Sequence, residues 1–319
     1  ESEQHRLEKE QLRLASPVYR KNPYISIIPI NEGCLNTCSF CKTKQARGHL
    51  FSYTIASIKE AMKQALAEGA KEIYLTSQDT GCYGFDINTN LPMLLRELLT
   101  ISGDYRIRIG MGNPNHFKHI IDEVLTIMQQ DRRVYRFLHI PLQSGSNRIL
   151  SEMRRMYVKE DFERIAYKAK LKIPDITLAN DIIVAYPTET EEEFQETLAA
   201  LRKSGTNVLN YSRFWLRPGT PAERMYENHQ FIEGAESKRR SKEIRRVFAD
   251  KAYEQNKKWI GWEGEARVIE QGKAGTNTLI ARNDYYKPIL LSDDQVALGD
   301  TVKVRIHAVT WYDFRGEVI

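Results

Sequence analysis

Three of the four cysteines in this chain lie within eight residues of one another, as Cys34, Cys38 and Cys41 in the spacing C-x3-C-x2-C. Cysteine thiolates hold iron–sulfur clusters, and a four-iron cluster usually takes four of them. Three thiolates hold three irons and leave the fourth without a protein ligand, so that a substrate or cofactor can take the open position. The spacing therefore predicts a reactive iron–sulfur site. Cys82 stands alone in a glycine-rich loop and is interpreted as uninvolved.

Two other uses of these cysteines have to be weighed. A structural zinc site is closed by four ligands, and His49 is the only candidate near the triplet because no second cysteine pair follows. A disulfide framework is typical of small secreted domains that are rich in cysteine, whereas this chain has 4 cysteines in 319 residues. A zinc-stabilised RNA-binding protein without catalytic activity remains an alternative.

The composition is that of a globular protein, with 41% hydrophobic and 28% charged residues. Apolar stretches are no longer than a strand, so we expect no membrane span. The chain opens with charged and polar residues, and its clustered thiols suit a reducing compartment, which together predict the cytoplasm. The net charge of +5 is weak evidence for an anionic partner. Lysine and arginine are concentrated in residues 238–258, a pattern that usually marks a solvated helix face and less often a nucleic-acid contact.

Short apolar segments alternate with amphipathic segments of helical length between residues 24 and 216. The predicted strands cover residues 24–30, 72–75, 106–111, 134–142, 176–186 and 208–216, and the predicted helices 55–68, 91–99, 119–128 and 191–203. Repeated strand–helix units indicate parallel strands with right-handed crossovers. Six strands are too few for a closed eight-stranded barrel, so we expect an open one. Its site should lie at the C-terminal ends of the strands, beside the cysteine loop.

The pattern changes after residue 221. Residues 233–258 read as one long charged helix, and residues 265–270, 278–282, 289–291, 302–309 and 314–318 as short strands between turns. Five short strands in so small a space predict a small β-barrel. We therefore divide the chain into an N-terminal remnant or linker (1–20), a first domain (21–232), a connecting basic helix (233–260) and a second domain (261–319).

The cysteine loop, with Phe40 directly before the last cysteine, resembles the signature of the radical SAM enzymes. Residues 21–225 are similar to one branch of that family, the methylthiotransferases. The closest resemblance is to the archaeal and eukaryotic enzymes that act on N6-threonylcarbamoyladenosine beside the tRNA anticodon. The final barrel resembles TRAM, an RNA-binding module. The motifs that carry the resemblance are residues 33–48, 75–84, 112–114, 139–146, 153–157, 181–190 and 217–222.

The resemblance implies an α/β fold, with a partial (βα)6 radical SAM barrel followed by a small all-β TRAM barrel similar to an OB-fold. It implies one [4Fe-4S] cluster on Cys34, Cys38 and Cys41. S-adenosylmethionine (SAM) would bind the open iron and be cleaved to a 5′-deoxyadenosyl radical, without an obligatory protein base. The cofactor-binding residues that we predict are Phe40, Ser77, Gln78, Asp79, Gln143, Ser144 and Asp181.

Several of these residues have a second interpretation. Gln78 and Asp79 follow a strand end, where they would hold the amine or ribose of SAM or else bond their own loop. Gln143 and Ser144 lie at a strand–helix junction, where backbone N–H groups face polar ligands. Asp181 interrupts an apolar strand and is costly to bury unless a local partner or a ligand compensates it.

The expected partner is the anticodon stem-loop of tRNA, and the expected reaction adds a methylthio group at C2 of the modified adenine. We predict that Arg239, Arg240, Arg245 and Arg246 contact the RNA backbone together with the TRAM domain. An electron donor such as flavodoxin or ferredoxin is implied, and we expect a monomer. A ribosomal protein is the alternative substrate within the same family.

Two departures from the family stand out. Ala185 replaces a glycine in the fifth strand motif. The family also carries an N-terminal domain with three further cysteines and a second [4Fe-4S] cluster, and no cysteine precedes Cys34 here. We therefore expect that domain to be missing from these 319 residues, with sulfur insertion inactive in this fragment.

Overall fold

The computed structural model describes Leu14 and residues 19–227, 231–292 and 296–319, with residues 226 and 227 as backbone only. The first domain alternates strands with helices. Its strands are β1 (Ile25–Pro29), β2 (Asn31–Glu32), β3 (Phe51–Ser52), β4 (Glu72–Thr76), β5 (Arg106–Ile109), β6 (Phe137–His139), β7 (Thr177–Val184) and β8 (Val208–Arg213). Its helices are α1 (Thr43–Arg47), α2 (Ile55–Ala67), α3 (Leu91–Leu98), α4 (Pro114–Gln130), α5 (Asn147–Glu152), α6 (Lys159–Lys172), α7 (Glu191–Ser204) and α8 (Pro221–Glu227).

Six of these strands form one open, parallel wall. β1, β4 and β5 pair in that order, as do β6, β7 and β8. The two halves meet between β5 and β6, where Tyr135 N donates to Ile107 O at 3.0 Å and Gly112 N donates to His139 O at 3.0 Å. The wall ends at β1 and β8, so the predicted partial (βα)6 barrel is confirmed.

Local sequence signals account for the helices that cover this wall. In α2, Ile58, Met62 and Ala65 are buried at helical spacing. The first turn of α7 has a capping box between Thr190 and Glu193, and this helix is followed by Gly205 in the left-handed region at φ +67°. The periodicity did not predict helices α1, α5, α6 and α8.

Beyond the long helix α9 (Gly234–Asn256), five strands close into a small barrel, as the sequence predicted. They are β9 (Glu263–Gln271), β10 (Leu279–Arg282), β11 (Pro288–Leu291), β12 (Thr301–Val309) and β13 (Phe314–Val318), in the order β10-β11-β13-β12-β9. Trp259, Val268, Ile289, Val304 and Phe314 belong to its core.

A loop of the small barrel closes the N-terminal end of the large one. Tyr286, between β10 and β11, hydrogen-bonds the Tyr74 hydroxyl at 2.9 Å and packs edge-on against Tyr135 with ring centroids 4.9 Å apart. Asp284 accepts a hydrogen bond from Arg106 Nη2 at 3.2 Å. The opposite end, where the strands finish, is left open. No helix in the described part of the chain is long and apolar enough to cross a membrane.

Candidate active site

The cysteine loop lies between β2 and α1, at the end of the barrel where the strands finish. Its centre is anchored by Ser39, whose backbone N–H donates to Met153 O at 3.0 Å and whose hydroxyl donates to Glu152 O at 2.7 Å. At its start Gly33 adopts φ +69°, and a Cβ there would lie 1.9 Å from His49 O. Only glycine fits at that close backbone approach.

Each of the three cysteine sulfurs accepts a hydrogen bond from nitrogen. Asn36 Nδ2 donates to Cys34 Sγ at 3.7 Å and Arg155 Nη1 donates to Cys38 Sγ at 3.1 Å. The backbone N–H of Thr43 donates to Cys41 Sγ at 3.4 Å. Such donors stabilise negative charge on sulfur and are one of the features that set the potential of an iron–sulfur cluster. The loop therefore suits three cluster-bound thiolates.

The spacing of the sulfurs distinguishes a cluster from a zinc ion. A tetrahedral Zn²⁺ with bonds of about 2.3 Å holds its sulfurs within about 4 Å of one another. Cys34, Cys38 and Cys41 do not all lie within 4.8 Å of one another, and His49 is exposed and outside any such group. All four cysteines are free. The three thiols are thus not arranged as ligands of one zinc ion in this structure.

Cys82 is a buried thiol with a protein partner. Its Sγ donates to Asp79 O at 3.2 Å, and burial raises its pKa far above the ordinary value. Cys82, Asp79 and His116 lie within 4.8 Å of one another, a spacing compatible with a metal ion. The carboxylate of Asp79 is nevertheless fully engaged, because it accepts from Asn113 N and Nδ2 at 2.9 Å each and from His116 Nδ1 at 2.7 Å. We interpret Cys82, Asp79 and His116 as part of a hydrogen-bond network and not as a metal site.

Three of the predicted cofactor-binding residues are hydrogen-bonded to other protein groups in this structure. Asp79 is completely buried, and although burial opposes its charge, the hydrogen bonds from His116 and Asn113 hold its pKa below the usual value. The hydroxyl of Ser77 accepts from Asp79 N at 3.0 Å, and that of the fully buried Ser144 accepts from Ser146 N at 3.2 Å. The role of these three residues in SAM binding stays a prediction.

Gln78 and Gln143 differ from them. The side-chain oxygen of each is buried and has no hydrogen-bond partner among the described residues. Gln78 lies just beyond β4 and Gln143, at φ +70°, just beyond β6. A buried acceptor without a donor costs about 1–3 kcal/mol. A bound ligand with N–H or O–H groups at the strand ends would remove this cost, which fits the amine and hydroxyls of SAM.

Asp181 joins three neighbouring strands at the open end. Its Oδ1 accepts from His139 Nε2 on β6 and from Asn210 Nδ2 on β8, both at 2.9 Å. Although burial opposes the charged form, these bonds hold the pKa of Asp181 below its usual range. The side chain remains 28% exposed. The sequence pointed to Asp181 but not to its partners, although His139 is part of a strand-end motif.

Phe40 and Ala185 lie beside this end of the barrel. Phe40 packs with Met153, Tyr186 and Ala222 in a small apolar cluster. Ala185 occupies the left-handed region at φ +59°, a conformation that glycine adopts more easily. Its N–H donates to Glu189 Oε2 at 2.9 Å, which secures the turn after β7.

One predicted RNA contact is wrong. Arg240 is only 4% exposed, and its Nη1 donates to Glu189 Oε2 at 2.8 Å while its Nε donates to Glu236 Oε1 at 2.7 Å. Arg240 forms buried ion pairs within the protein, because helical spacing places it on the buried face of α9. Arg239 is exposed but paired with the carboxylates of Glu191, Glu236 and Glu243.

The other two arginines are accessible. Arg245 and Arg246 are both exposed, and the guanidinium of Arg245 lies 6.0 Å from the ring centre of Trp311.

The structure also adds Arg155, a residue that the sequence analysis included only as part of a motif. Its pKa is raised and its guanidinium stacks 5.0 Å from the ring centre of Tyr157.

Comparisons with known proteins agree with this architecture. The profile of the radical SAM superfamily matches residues 28–201 and that of the TRAM domain matches residues 262–319. A Pyrococcus horikoshii protein described as a probable threonylcarbamoyladenosine tRNA methylthiotransferase is 40% identical over 94% of this chain and 68% of its own length. The human threonylcarbamoyladenosine tRNA methylthiotransferase is 40% identical over 96% of this chain and 52% of its own length. The chain thus spans about half to two thirds of these relatives.

Solved structures share the fold at lower identity. Coproporphyrinogen III oxidase (HemN) from Escherichia coli, a radical SAM enzyme, superimposes with a TM-score of 0.53 at 13% identity, covering 96% of this chain and 70% of that one. The radical SAM methyltransferase TsrM from Kitasatospora setae, with a SAM analogue bound, gives a TM-score of 0.52 at 19% identity over 63% of this chain and 38% of its own.

Proposed function

Because this chain belongs to the radical SAM superfamily and, within it, to the methylthiotransferase family of these relatives, we propose that it forms the radical-generating and RNA-binding part of a tRNA methylthiotransferase. The substrate proposed is N6-threonylcarbamoyladenosine in the anticodon loop, as in the names of the relatives. The observation that carries the proposal is the cysteine loop at the open end of the barrel, with a nitrogen donor on each sulfur.

Cys34, Cys38 and Cys41 would hold the [4Fe-4S] cluster that this superfamily uses. When bound, the cluster supplies the electron for reductive cleavage of SAM. Gln78 and Gln143 offer acceptor oxygens to the SAM amine and ribose. This assignment is supported by their burial and by their position just beyond strand ends.

The protein's own residues shape the remainder of the site. Arg155 holds a positive charge against Cys38, and Asn113 fixes Arg155 through an Oδ1–Nη2 hydrogen bond. Asp181, His139 and Asn210 form a polar edge across three strands, which would orient a polar group of substrate or cofactor at the mouth. Closure of the N-terminal end by the small barrel leaves this mouth and the open side between β1 and β8 for substrate entry.

The tRNA substrate is favoured over a ribosomal protein by the TRAM domain and by the names of the relatives. We place the protein in the cytoplasm, where reduced thiols and a flavodoxin- or ferredoxin-type donor would be present, and we propose that it acts as a monomer.

Anaerobic reconstitution with iron and sulfide tests the proposal. We expect four irons per chain, as one four-iron cluster takes, and slow cleavage of SAM to 5′-deoxyadenosine after reduction, followed by chromatography. A Gln78→Leu and Gln143→Leu double variant should keep its iron but bind SAM more weakly. A cluster-replete protein that neither binds nor cleaves SAM would contradict the proposal.

Sulfur insertion by these 319 residues alone is expected to be absent. Cys82 is the only cysteine outside the triplet, and it is buried as a thiol. Mass spectrometry of tRNA digests should show no added methylthio group, and repeated turnover to the methylthio product would refute the assumed need for a second cluster.

A further inference from the structure

The positive charges of α9 fall into two groups. Arg239 and Arg240 are neutralised by carboxylates, as described above. Lys238, Lys242 and Arg245 are exposed and form no ion pair with any described acidic residue. Lys242 follows Lys238 by four positions and Arg245 follows it by seven, so all three side chains lie on one face of the helix.

This face of α9 borders a groove beside β8. The groove, of about 360 Å³, is lined by Tyr211, Arg213, Lys238, Ser241, Lys242 and Arg245, and is called here the edge groove. β8 is the last strand of the open wall, so no further strand covers its outer edge. From Lys238 to Arg245 the helix rises by about 10 Å. Arg213 adds a fourth cation that has no described ion pair.

One end of the edge groove adjoins a second groove. Arg213 is shared with this second groove of about 350 Å³, which reaches Ala185 and Pro187 in the turn after β7. Trp215 lines this second groove and is 79% exposed, an unusual state for a tryptophan. A base leaving the edge groove would thus meet an aromatic surface before the barrel mouth.

The other end of the edge groove lies near a pair of aromatic rings. Trp311 lies over Arg245, and its neighbour Tyr312 is 70% exposed, with ring centroids 5.6 Å apart. Both belong to the turn between β12 and β13 of the small barrel. The edge groove therefore has aromatic side chains near both ends, Trp311 and Tyr312 beside Arg245 and Trp215 in the adjoining second groove.

We propose that the edge groove binds the phosphate backbone of an unpaired RNA segment and directs its target base past Trp215 to the barrel mouth. Unpaired RNA is bound by positive grooves combined with exposed aromatic platforms, which is the arrangement found here. The cations lack internal partners, so phosphates can pair with them without breaking ion pairs. The inference rests on the proposed function, because it takes an RNA loop as substrate.

The test compares two double variants of the 319-residue chain. Lys242→Gln with Arg245→Gln removes two charges from the edge groove. Arg202→Gln with Lys251→Gln removes two exposed charges outside the groove, and serves as the matched control. A synthetic anticodon stem-loop RNA labelled with a fluorophore is titrated at several KCl concentrations, and anisotropy reports the affinity.

Each phosphate contact to unpaired RNA contributes about 0.7 to the slope of log affinity against log salt, which is about fivefold in affinity at 0.1 M salt. The edge-groove variant should therefore lose about 25-fold in affinity and about 1.4 in slope, while the control variant stays within about twofold. Trp215→Ala should weaken binding by about tenfold with an unchanged slope, since stacking involves no counterion release. Circular dichroism verifies folding of all variants.

The outcomes separate this inference from the proposed function. Unmodified chain that does not bind the stem-loop overturns both. Salt-dependent binding that is equally weakened in the two double variants overturns only the edge groove as the RNA path. Unchanged RNA binding in the edge-groove variant, together with slower cluster reduction by an acidic flavodoxin, would show that a protein electron donor occupies the groove and would also overturn the inference.

Discussion

Replacement of Arg240 by methionine should destabilise the protein without weakening RNA binding. The guanidinium is buried and its Nη1 lies 2.8 Å from Glu189 Oε2. At an effective dielectric constant of about 20, Coulomb attraction at that distance is about 6 kcal/mol, part of which offsets desolvation of the two groups. Breaking a buried pair by removing one partner costs about 3–5 kcal/mol. For a chain of this size we expect the thermal midpoint to fall by about 4–8 °C.

The loss should depend on pH, because burial raises the pKa of Glu189 to about 7. A carboxyl with a raised pKa contributes most to stability below its unfolded pKa, and that contribution is lost as pH rises through the folded pKa. Without Arg240 the pKa of Glu189 rises further. Between pH 7 and 8 the variant should therefore lose about 1 kcal/mol more than the unmodified chain. Thermal unfolding followed by circular dichroism at both pH values measures this difference.

Two further variants make the reasoning refutable. Arg246→Met, on the exposed side of the same helix, should change stability by less than about 0.5 kcal/mol. Adding Glu189→Gln to Arg240→Met should restore at least half of the lost stability, since the carboxyl left without its cation is then removed. An Arg240→Met protein of normal stability with weaker, less salt-dependent RNA binding would show that Arg240 contacts RNA after all.

Three other outcomes are expected. Arg155→Met should lower the midpoint potential of the reconstituted cluster by about 60 mV, because a cation beside a cysteine sulfur favours the reduced state. This shift is a tenfold change in a one-electron equilibrium. Arg155→Lys should lower the potential less, and potentiometry with electron paramagnetic resonance measures both variants. Cys34→Ala should abolish iron binding, whereas Cys82→Ala should leave the iron content unchanged. Burial raises the pKa of Glu72 to about 7, so stability from this group is lost between about pH 4.5 and 7. In urea unfolding, Glu72→Gln should gain about 3 kcal/mol relative to the unmodified chain across that interval; an equal pH dependence of the two proteins would contradict this.

The fold could be predicted from sequence because its signals are local. Strand periodicity and turn residues placed six strands of the large barrel and five of the small one within a few residues of their observed bounds. Helix α6 was not predicted, since its charged residues are frequent and its buried face is narrow. Topology followed from the rule that repeated strand–helix units form parallel sheets.

The site was predictable only where it lies in one segment. Cys34, Cys38 and Cys41 share a loop, so their spacing indicated their role. Arg155 meets Cys38 across 117 positions of sequence, and no local pattern reveals such a contact. The error at Arg240 was avoidable, because Arg240, Ile244 and Val247 recur at helical spacing and so share the buried face of α9.

Arg240 and the edge groove connect through the same helix. The buried face of α9 holds the turn after β7, since Arg240 binds Glu189 and Glu189 binds the N–H of Ala185. The outer face presents Lys242 and Arg245 to the edge groove. One helix thus fixes the backbone at the mouth of the barrel and carries the charges proposed to hold RNA there. Because α9 fixes both the backbone at the mouth and the charges of the edge groove, the position of RNA along the groove would determine which base reaches the mouth.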